Sequence, residues 1–352
     1  MVSRSKLSLT LFFILSSALL TSGASDAGSP SECGPGSMGI CYNKSEALRL
    51  KIIAIAAILI TSMIGVCFPL FSRSVPLLQP NRDLFVLVKA FASGVILATG
   101  YMHVMPDSFD CLRSLCLPEN PWRKFPFTTF VAMLSATITL MVDSFASSYY
   151  KKCCLDENVA GIVEPVNGAV DSENALHCHV RNNKRDEEAT MQLLRNRIIA
   201  EVLEMGIIVH SIVIGLSLGA SQNPCTIKPL VAALCFHQMF EGMGLGGCIL
   251  QAEYGNKIKA IMVFFFSATT PFGIALGIAL SHVYSDTSPT ALIVVGLLNA
   301  SSAGLLNYMA LVDLLAHDFM GPKLQSSVKL QLWAYLAVLL GAGGMSLMAK
   351  WA

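Results

Sequence analysis

Charge is what this sequence has least of. Asp, Glu, Lys and Arg make up 13% of its 352 residues, about half the share of a typical soluble domain. Hydrophobic residues reach 54%, and the mean hydropathy is +0.60. These values exclude an ordinary soluble protein and a disordered chain. Net charge is +1, from 24 Lys and Arg against 23 Asp and Glu, so the chain offers no basic field to a nucleic acid. Eleven cysteines in this length are too few for a disulfide scaffold. No G-x-x-x-x-G-K-[ST] loop is present, which argues against ATP coupling within the chain. His-Glu-x-x-His is absent too.

What the sequence does have is long apolar runs. Residues 1–24 read as a secretory signal. Arg4 and Lys6 precede a short apolar stretch from Leu7 to Leu20, and Ser22-Gly23-Ala24 supplies small residues for cleavage. An uncleaved anchor is the competing reading. Residues 25–49 then form an external segment. Eight further runs are long enough for a ~30 Å hydrocarbon layer: 50–71, 84–106, 126–149, 197–220, 228–250, 258–282, 290–315 and 328–350. An external N-terminus puts the loops after spans one, three, five and seven in the cytosol. Those loops hold Arg73, Arg82, Lys151, Lys152, Arg181, Lys184, Arg185, Arg195, Lys257, Lys259 and Lys323. The outer loops are poorer in Lys and Arg, except for Arg113, Arg123 and Lys124 after span two. The excess of positive charge inside agrees with the signal reading. The expectation is an all-α polytopic membrane protein of eight transmembrane helices with both termini external. Cys33, Cys41, Cys111 and Cys116 then face an oxidising compartment, where disulfides form with a connectivity the sequence leaves open.

Residues 151–196 divide the spans into three (50–150) plus five (197–352). This segment contains Arg181 to Glu188, with six charges in eight residues, and reads as a mobile cytosolic loop. Within it, His177-Cys178-His179 forms a candidate zinc sensor. Incidental residues in a solvated loop are the alternative.

Ionisable groups inside the membrane are expensive and mark function by default. His210-Ser211 lies near the middle of span four; His237-Gln238-Met239-Phe240-Glu241 lies near the middle of span five. His237 and Glu241 are four residues apart and share a helix face. The connection between these spans, Ser221 to Ile227, is short, so they are expected to be antiparallel neighbours, with His210 facing His237 and Glu241. Two imidazoles and a carboxylate suit Zn²⁺, Fe²⁺ or Mn²⁺. Each group alone also has a structural reading as a packed or hydrogen-bonded side chain. His103 and Asp107 in span two repeat the four-residue spacing around Pro106, which frees the carbonyl of Met102. Here Asp107 is either a ligand near the external mouth or the start of the outer loop. Asp143 and Glu204 lie toward the cytosol as an exit path, with a Glu204–Arg197 pair as the alternative. Asp313 and His317 are expected at the interface, and Lys89 is expected to snorkel to the cytosolic surface. Small residues line the spans carrying the candidate site, Gly215, Ser217 and Gly219 in span four and Gly242, Gly244, Gly246 and Gly247 in span five. They suit close helix packing, within one chain or in a homodimer.

His210-Ser211-Ile212-Val213-Ile214-Gly215-Leu216-Ser217-Leu218-Gly219-Ala220-Ser221, with His237-Gln238-Met239-Phe240-Glu241-Gly242, resembles the ZIP (Zrt/Irt-like) metal transporters, especially the plant branch. Ala98 to Ser108 resembles that family's second-span motif. The resemblance covers all eight spans, the external termini and the variable loop. It implies transport of divalent metal toward the cytosol, with a binding site at His103, Asp107, His210, Ser211, His237, Gln238 and Glu241. It also implies an elevator-like movement of one helix group. Two departures stand out. Ile214 occupies a position that is acidic in some branches, which favours one transport site over two. The loop holds only His177-Cys178-His179 where many relatives have a longer His run.

The expected activity is secondary transport of Zn²⁺, or of Fe²⁺, Mn²⁺ or Cd²⁺, as substrate, with no permanent cofactor and no enzymatic step. Metal ions and the lipid bilayer are the expected partners, and the plasma membrane the expected location, with endomembranes second. An intramembrane zinc hydrolase, holding its metal permanently and activating water, is the alternative from another class; a metal-sensing receptor using the external cysteines is a third.

Overall fold

The computed structural model describes residues 43–71, 82–161, 173–281 and 288–349, without the side chains of 146, 147, 149–161, 173–188 and 191. The expected signal at 1–24, and Cys33 and Cys41, lie outside the described residues. Every described element is helical. The long helices are α1 (Lys44–Phe71), α2 (Asp83–Leu112), α3 (Phe127–Gly161), α4 (Glu173–Ala220), α5 (Pro224–Gln251), α6 (Asn256–Leu280), α7 (Pro289–Phe319) and α8 (Val328–Ala349). Seven of them, all but α5, are long and apolar enough to cross a membrane. α5 has the length, at 28 residues. Its middle carries His237, Gln238, Glu241 and four glycines, and these lower its hydropathy.

Local signals fix the helix starts. Asn223 caps α5 by accepting a hydrogen bond from the Cys225 amide at 3.0 Å, with Pro224 at the first helical position. Ser288 caps α7 the same way through the Ala291 amide at 3.2 Å, followed by Pro289. Three boundaries differ from the sequence reading. α2 runs past residue 106 to Leu112. α3 continues to Gly161, and α4 begins at Glu173. Much of the segment expected as loop is therefore helical, and its alternating charges suit a solvated helix. The side chains of His177, Cys178 and His179 lie outside the described residues. Cys116 and Cys225 are disulfide-bonded. Cys225 is a bonded cysteine the sequence reading did not single out.

The helices sort into two groups. α1 packs on α5 and α6, and α4 packs on α6 and α5. α2 packs on α8, α3 on α7, and α7 on α2. The groups meet where α2 touches α5 and where α4 touches α7. Glycine sets the spacing inside the first group. Gly215 and Gly219 of α4 face Gly273 and Gly277 of α6 in parallel register, a small-xxx-small pair on each helix. Gly242 and Gly246 of α5 lie against the α1 backbone at Gly65 and Val66. This close approach seats α4 and α5 side by side with the candidate residues between them.

A methyl group on Gly277 would sit 2.5 Å from the Leu216 carbonyl oxygen and 2.8 Å from the Gly219 Cα. Gly277→Ala is therefore expected to lower stability by about 1–3 kcal/mol. Gly343 has nothing within 4 Å of such a group, so Gly343→Ala is expected to leave stability equal or slightly higher. Thermal unfolding of the two variants in detergent reads this contrast.

Candidate metal site

α4 and α5 bring His210, His237 and Glu241 to one point. Their potential ligand atoms all lie within 4.8 Å of one another. A tetrahedral ion with ~2.1 Å bonds separates its ligands by ~3.4 Å, so small side-chain rotations close the set around one ion. The His210 and His237 ring centroids are 5.7 Å apart. All three residues are sealed from solvent, at 1%, 0% and 0% exposure. Ser211 and Gln238 flank them and are equally buried. The burial is chemically unusual. Both nitrogens of His210 and His237, both Glu241 carboxyl oxygens, the Ser211 hydroxyl and the Gln238 amide nitrogen make no hydrogen bond to other protein atoms. Buried polar atoms left this way destabilise a fold by about 1–3 kcal/mol each. A divalent cation accepts the imidazole lone pairs and the carboxylate together.

His103 approaches from the second helix group. Its ring centroid lies 6.1 Å from that of His237, and its Nε2 is buried without a hydrogen-bond partner. It projects from a π-helical stretch, Gly100–Val104, in which the Met105 amide reaches back five residues to the Gly100 carbonyl. Pro106, next along, has no amide proton to continue the α-helical ladder, and the widened turn accommodates it. Asp107 lies inside the continuing helix, so it does not begin a loop. It is exposed, one turn beyond His103, and stands outside the three-residue cluster.

The other ionisable groups are arranged differently from the sequence reading. Glu204 is half-buried and is not paired with Arg197. The Arg197 Nε donates to the Ala252 carbonyl at 3.1 Å, and its guanidinium lies 5.5 Å from the Tyr254 ring centroid. Tyr254 donates to Glu201 at 3.0 Å; burial, then the Glu201 carboxylate, pushes its phenol above the usual range. Asp143 accepts a hydrogen bond from the Tyr308 hydroxyl at 3.2 Å. Asp313 is buried within a π-helical stretch, Met309–Ala316. Lys89 does not snorkel. It is 4% exposed and ion-paired with Asp318 at 2.9 Å.

The sequence reading missed four buried polar groups. Ser267 and Thr270 on α6, and Ser302 and Asn307 on α7, each hold a side-chain oxygen without a hydrogen bond. Ser and Thr in apolar helices give little signal, because they commonly bond their own backbone. Ser62, Ser93 and Thr99 do so here.

Long apolar helices around a sealed cluster of borderline nitrogen and oxygen ligands define a multi-pass membrane protein built to handle a metal ion. Comparison with known proteins gives the same class. The family profile described as "ZIP Zinc transporter" matches residues 48–349. The chain is 63% identical over 325 residues to "Fe(2+) transport protein 1" of Oryza sativa subsp. japonica, covering 89% of this chain and 87% of that one. It is 60% identical over 343 residues to "Fe(2+) transport protein 1" of Arabidopsis thaliana, covering 97% of each. It is 58% identical over 320 residues to "Zinc transporter 7" of Arabidopsis thaliana, covering 89% and 88%. The chain belongs to the ZIP zinc transporter family.

The unbonded cluster predicts a conflict between stability and binding. Glu241→Leu removes two buried oxygens without partners and fills their space. It is expected to stabilise the metal-free protein by about 1–3 kcal/mol and to abolish the rise in melting temperature on adding zinc. Melting curves with chelator and with zinc test both halves. A less stable metal-free variant would contradict the reading.

Proposed function

We propose that the protein moves divalent metal, Zn²⁺ foremost and Fe²⁺, Mn²⁺ or Cd²⁺ as competitors, into the cytosol. The observation that carries this reading is the sealed His210–His237–Glu241 cluster with unbonded ligand atoms. The family supports it, and the relatives' names include both iron and zinc transporters. These comparisons lend no support to a hydrolase, and the family is one of transporters rather than enzymes.

In this reading α5 is the eighth span. It packs between α1, α2 and α4, where neighbouring helices shield its polar centre from lipid. The chain enters from outside, and both termini are external. The disulfide-bonded Cys116 and Cys225 support this orientation, since both fall on the expected external side. Metal is captured near His103 and Asp107. It is then coordinated by His210, His237 and Glu241, with Ser211 and Gln238 as flanking donors, and released past Glu204 and Asp143. The group α1, α4, α5 and α6 carries His210, His237 and Glu241. The group α2, α3, α7 and α8 carries His103 and Asp107. Sliding one group against the other alternates access to the site. The plasma membrane is the location that fits uptake best.

No fuel domain is needed. An inside-negative potential contributes ~2.3 kcal/mol per charge per 100 mV, so ~4.6 kcal/mol for a divalent ion. That sustains a concentration ratio above roughly a thousandfold. Protons compete with metal for imidazole, so uptake falls as external pH falls.

Purified protein in liposomes tests this. Radioactive zinc is expected to accumulate, faster with an imposed inside-negative potential and slower at acidic external pH, with unlabelled Fe²⁺, Mn²⁺ and Cd²⁺ as competitors. Absence of accumulation, with hydrolysis of a lipid amide instead, would overturn the proposal.

A further inference from the structure

A continuous chain of side chains crosses between the two helix groups at the end opposite Cys116 and Cys225. The Lys89 Nζ of α2 donates to the Asp318 Oδ1 of α7 at 2.9 Å and to the Gln251 Oε1 of α5 at 2.9 Å. Asp318 Oδ1 also lies 3.3 Å from the Nδ1 of its neighbour His317. His317 Nε2 lies 2.8 Å from the Gln192 Nε2 of α4. The His317 ring thus bridges Asp318 and Gln192 through its two nitrogens. The order is Gln251–Lys89–Asp318–His317–Gln192. The two ends belong to the group carrying His210, His237 and Glu241; the three middle residues belong to the other group. Side-chain hydrogen bonds inside one group include Ser108–Thr128, Tyr308–Asp143, Tyr254–Glu201 and Lys228–Glu46.

The middle of the chain is built to stay and the ends to let go. Lys89 and Asp318 are a charged pair with side-chain exposures of 5% and 17%, and breaking such a pair leaves an uncompensated buried charge. The two outer contacts end on neutral amides: the Gln192–His317 bond is individually modest, and although the Lys89–Gln251 bond is charge-assisted, losing it leaves Lys89 still paired with Asp318. The surface between the groups is otherwise largely apolar, lined by residues such as Leu203 and Leu245 against Leu306 and Met309. Apolar contact resists separation but has little register of its own. Directional hydrogen bonds supply the register.

We propose that Lys89, held by Asp318, is the positioning residue of the transport step: through Gln251, and through His317 to Gln192, it latches the metal-carrying helix group to its partner group on the cytosolic side. The inference rests on the two-group movement proposed above. Each transport cycle breaks both amide contacts and leaves the Lys89–Asp318 pair intact.

Cys248 is a native reporter. It is 3% exposed, sits one turn before Gln251 on α5, and packs in the core that joins the two groups. Cys235, in the middle of α5 and thirteen residues before Cys248, is half-buried and serves as the internal control. The full-length protein in liposomes is treated with N-ethylmaleimide, and each cysteine is read by peptide mass spectrometry. In Gln192→Leu/Gln251→Leu, alkylation of Cys248 is expected to rise by roughly tenfold, the effect of two lost hydrogen bonds on an opening equilibrium, while Cys235 stays within about twofold. An unchanged Cys248 rate, or an equal rise at both cysteines, overturns the latch. Zinc uptake is measured on the same vesicles. A wild-type protein that fails to accumulate zinc while Cys248 still responds sinks the transport reading and leaves the latch standing.

Discussion

Polar atoms buried in an apolar bundle without hydrogen bonds are the constraint around which this molecule is organised. A helix pair closing on two imidazoles, a carboxyl, an amide and a hydroxyl would ordinarily satisfy them with neighbouring donors and acceptors. Here those atoms stay unbonded. The glycine faces of α4, α5 and α6 have two consequences. They let backbones approach closely, and they supply no side chain that competes for the ligand atoms. Close packing and ligand availability thus come from the same residues. A cation can accept one lone pair from each imidazole and the Glu241 carboxylate together, which offsets the largest part of this cost.

The same logic explains why the site is divided between helix groups. His103 approaches His237 from α2, on a π-helical turn next to Pro106. A site wholly inside one rigid group would hold its ion without a way out. A site wholly shared would fall apart when the groups move. In the proposed movement, three ligands on one group with a third imidazole facing from the other would let the ion travel with its group and exchange a single partner. The apolar surface between the groups permits sliding, and polar contacts at one end give the arrangement a definite register.

Much of this was legible in the sequence because lipid leaves few options. The all-helical membrane class, the rough placement of most apolar helices and the pairing of α4 with α5 followed from apolar run length and the short 221–227 connection. The convergence of His210, His237 and Glu241 followed from a four-residue spacing and similar depth. What failed depended on partners distant in sequence. Lys89 was expected at the surface, because a lone Lys near a span end ordinarily snorkels; nothing near it in sequence announces Asp318. Glu204 was offered Arg197 by proximity, but Arg197 turns to Ala252 and Tyr254. The π-helical stretch that holds Asp313 has no periodicity signal. The segment at 151–196 read as loop because its charge hid its helical pattern. Ser267, Thr270, Ser302 and Asn307 carry no spacing that separates them from ordinary backbone-bonded residues.

Metal stoichiometry at equilibrium tests the central claim most directly. The background is full-length protein in which His177, Cys178 and His179 are replaced by Ala, so that the loop cannot contribute. Zinc bound per chain is counted before and after replacing His210, His237 and Glu241 together. The account predicts one ion per chain lost with the three ligands, in a protein that still folds. An undiminished stoichiometry would contradict it.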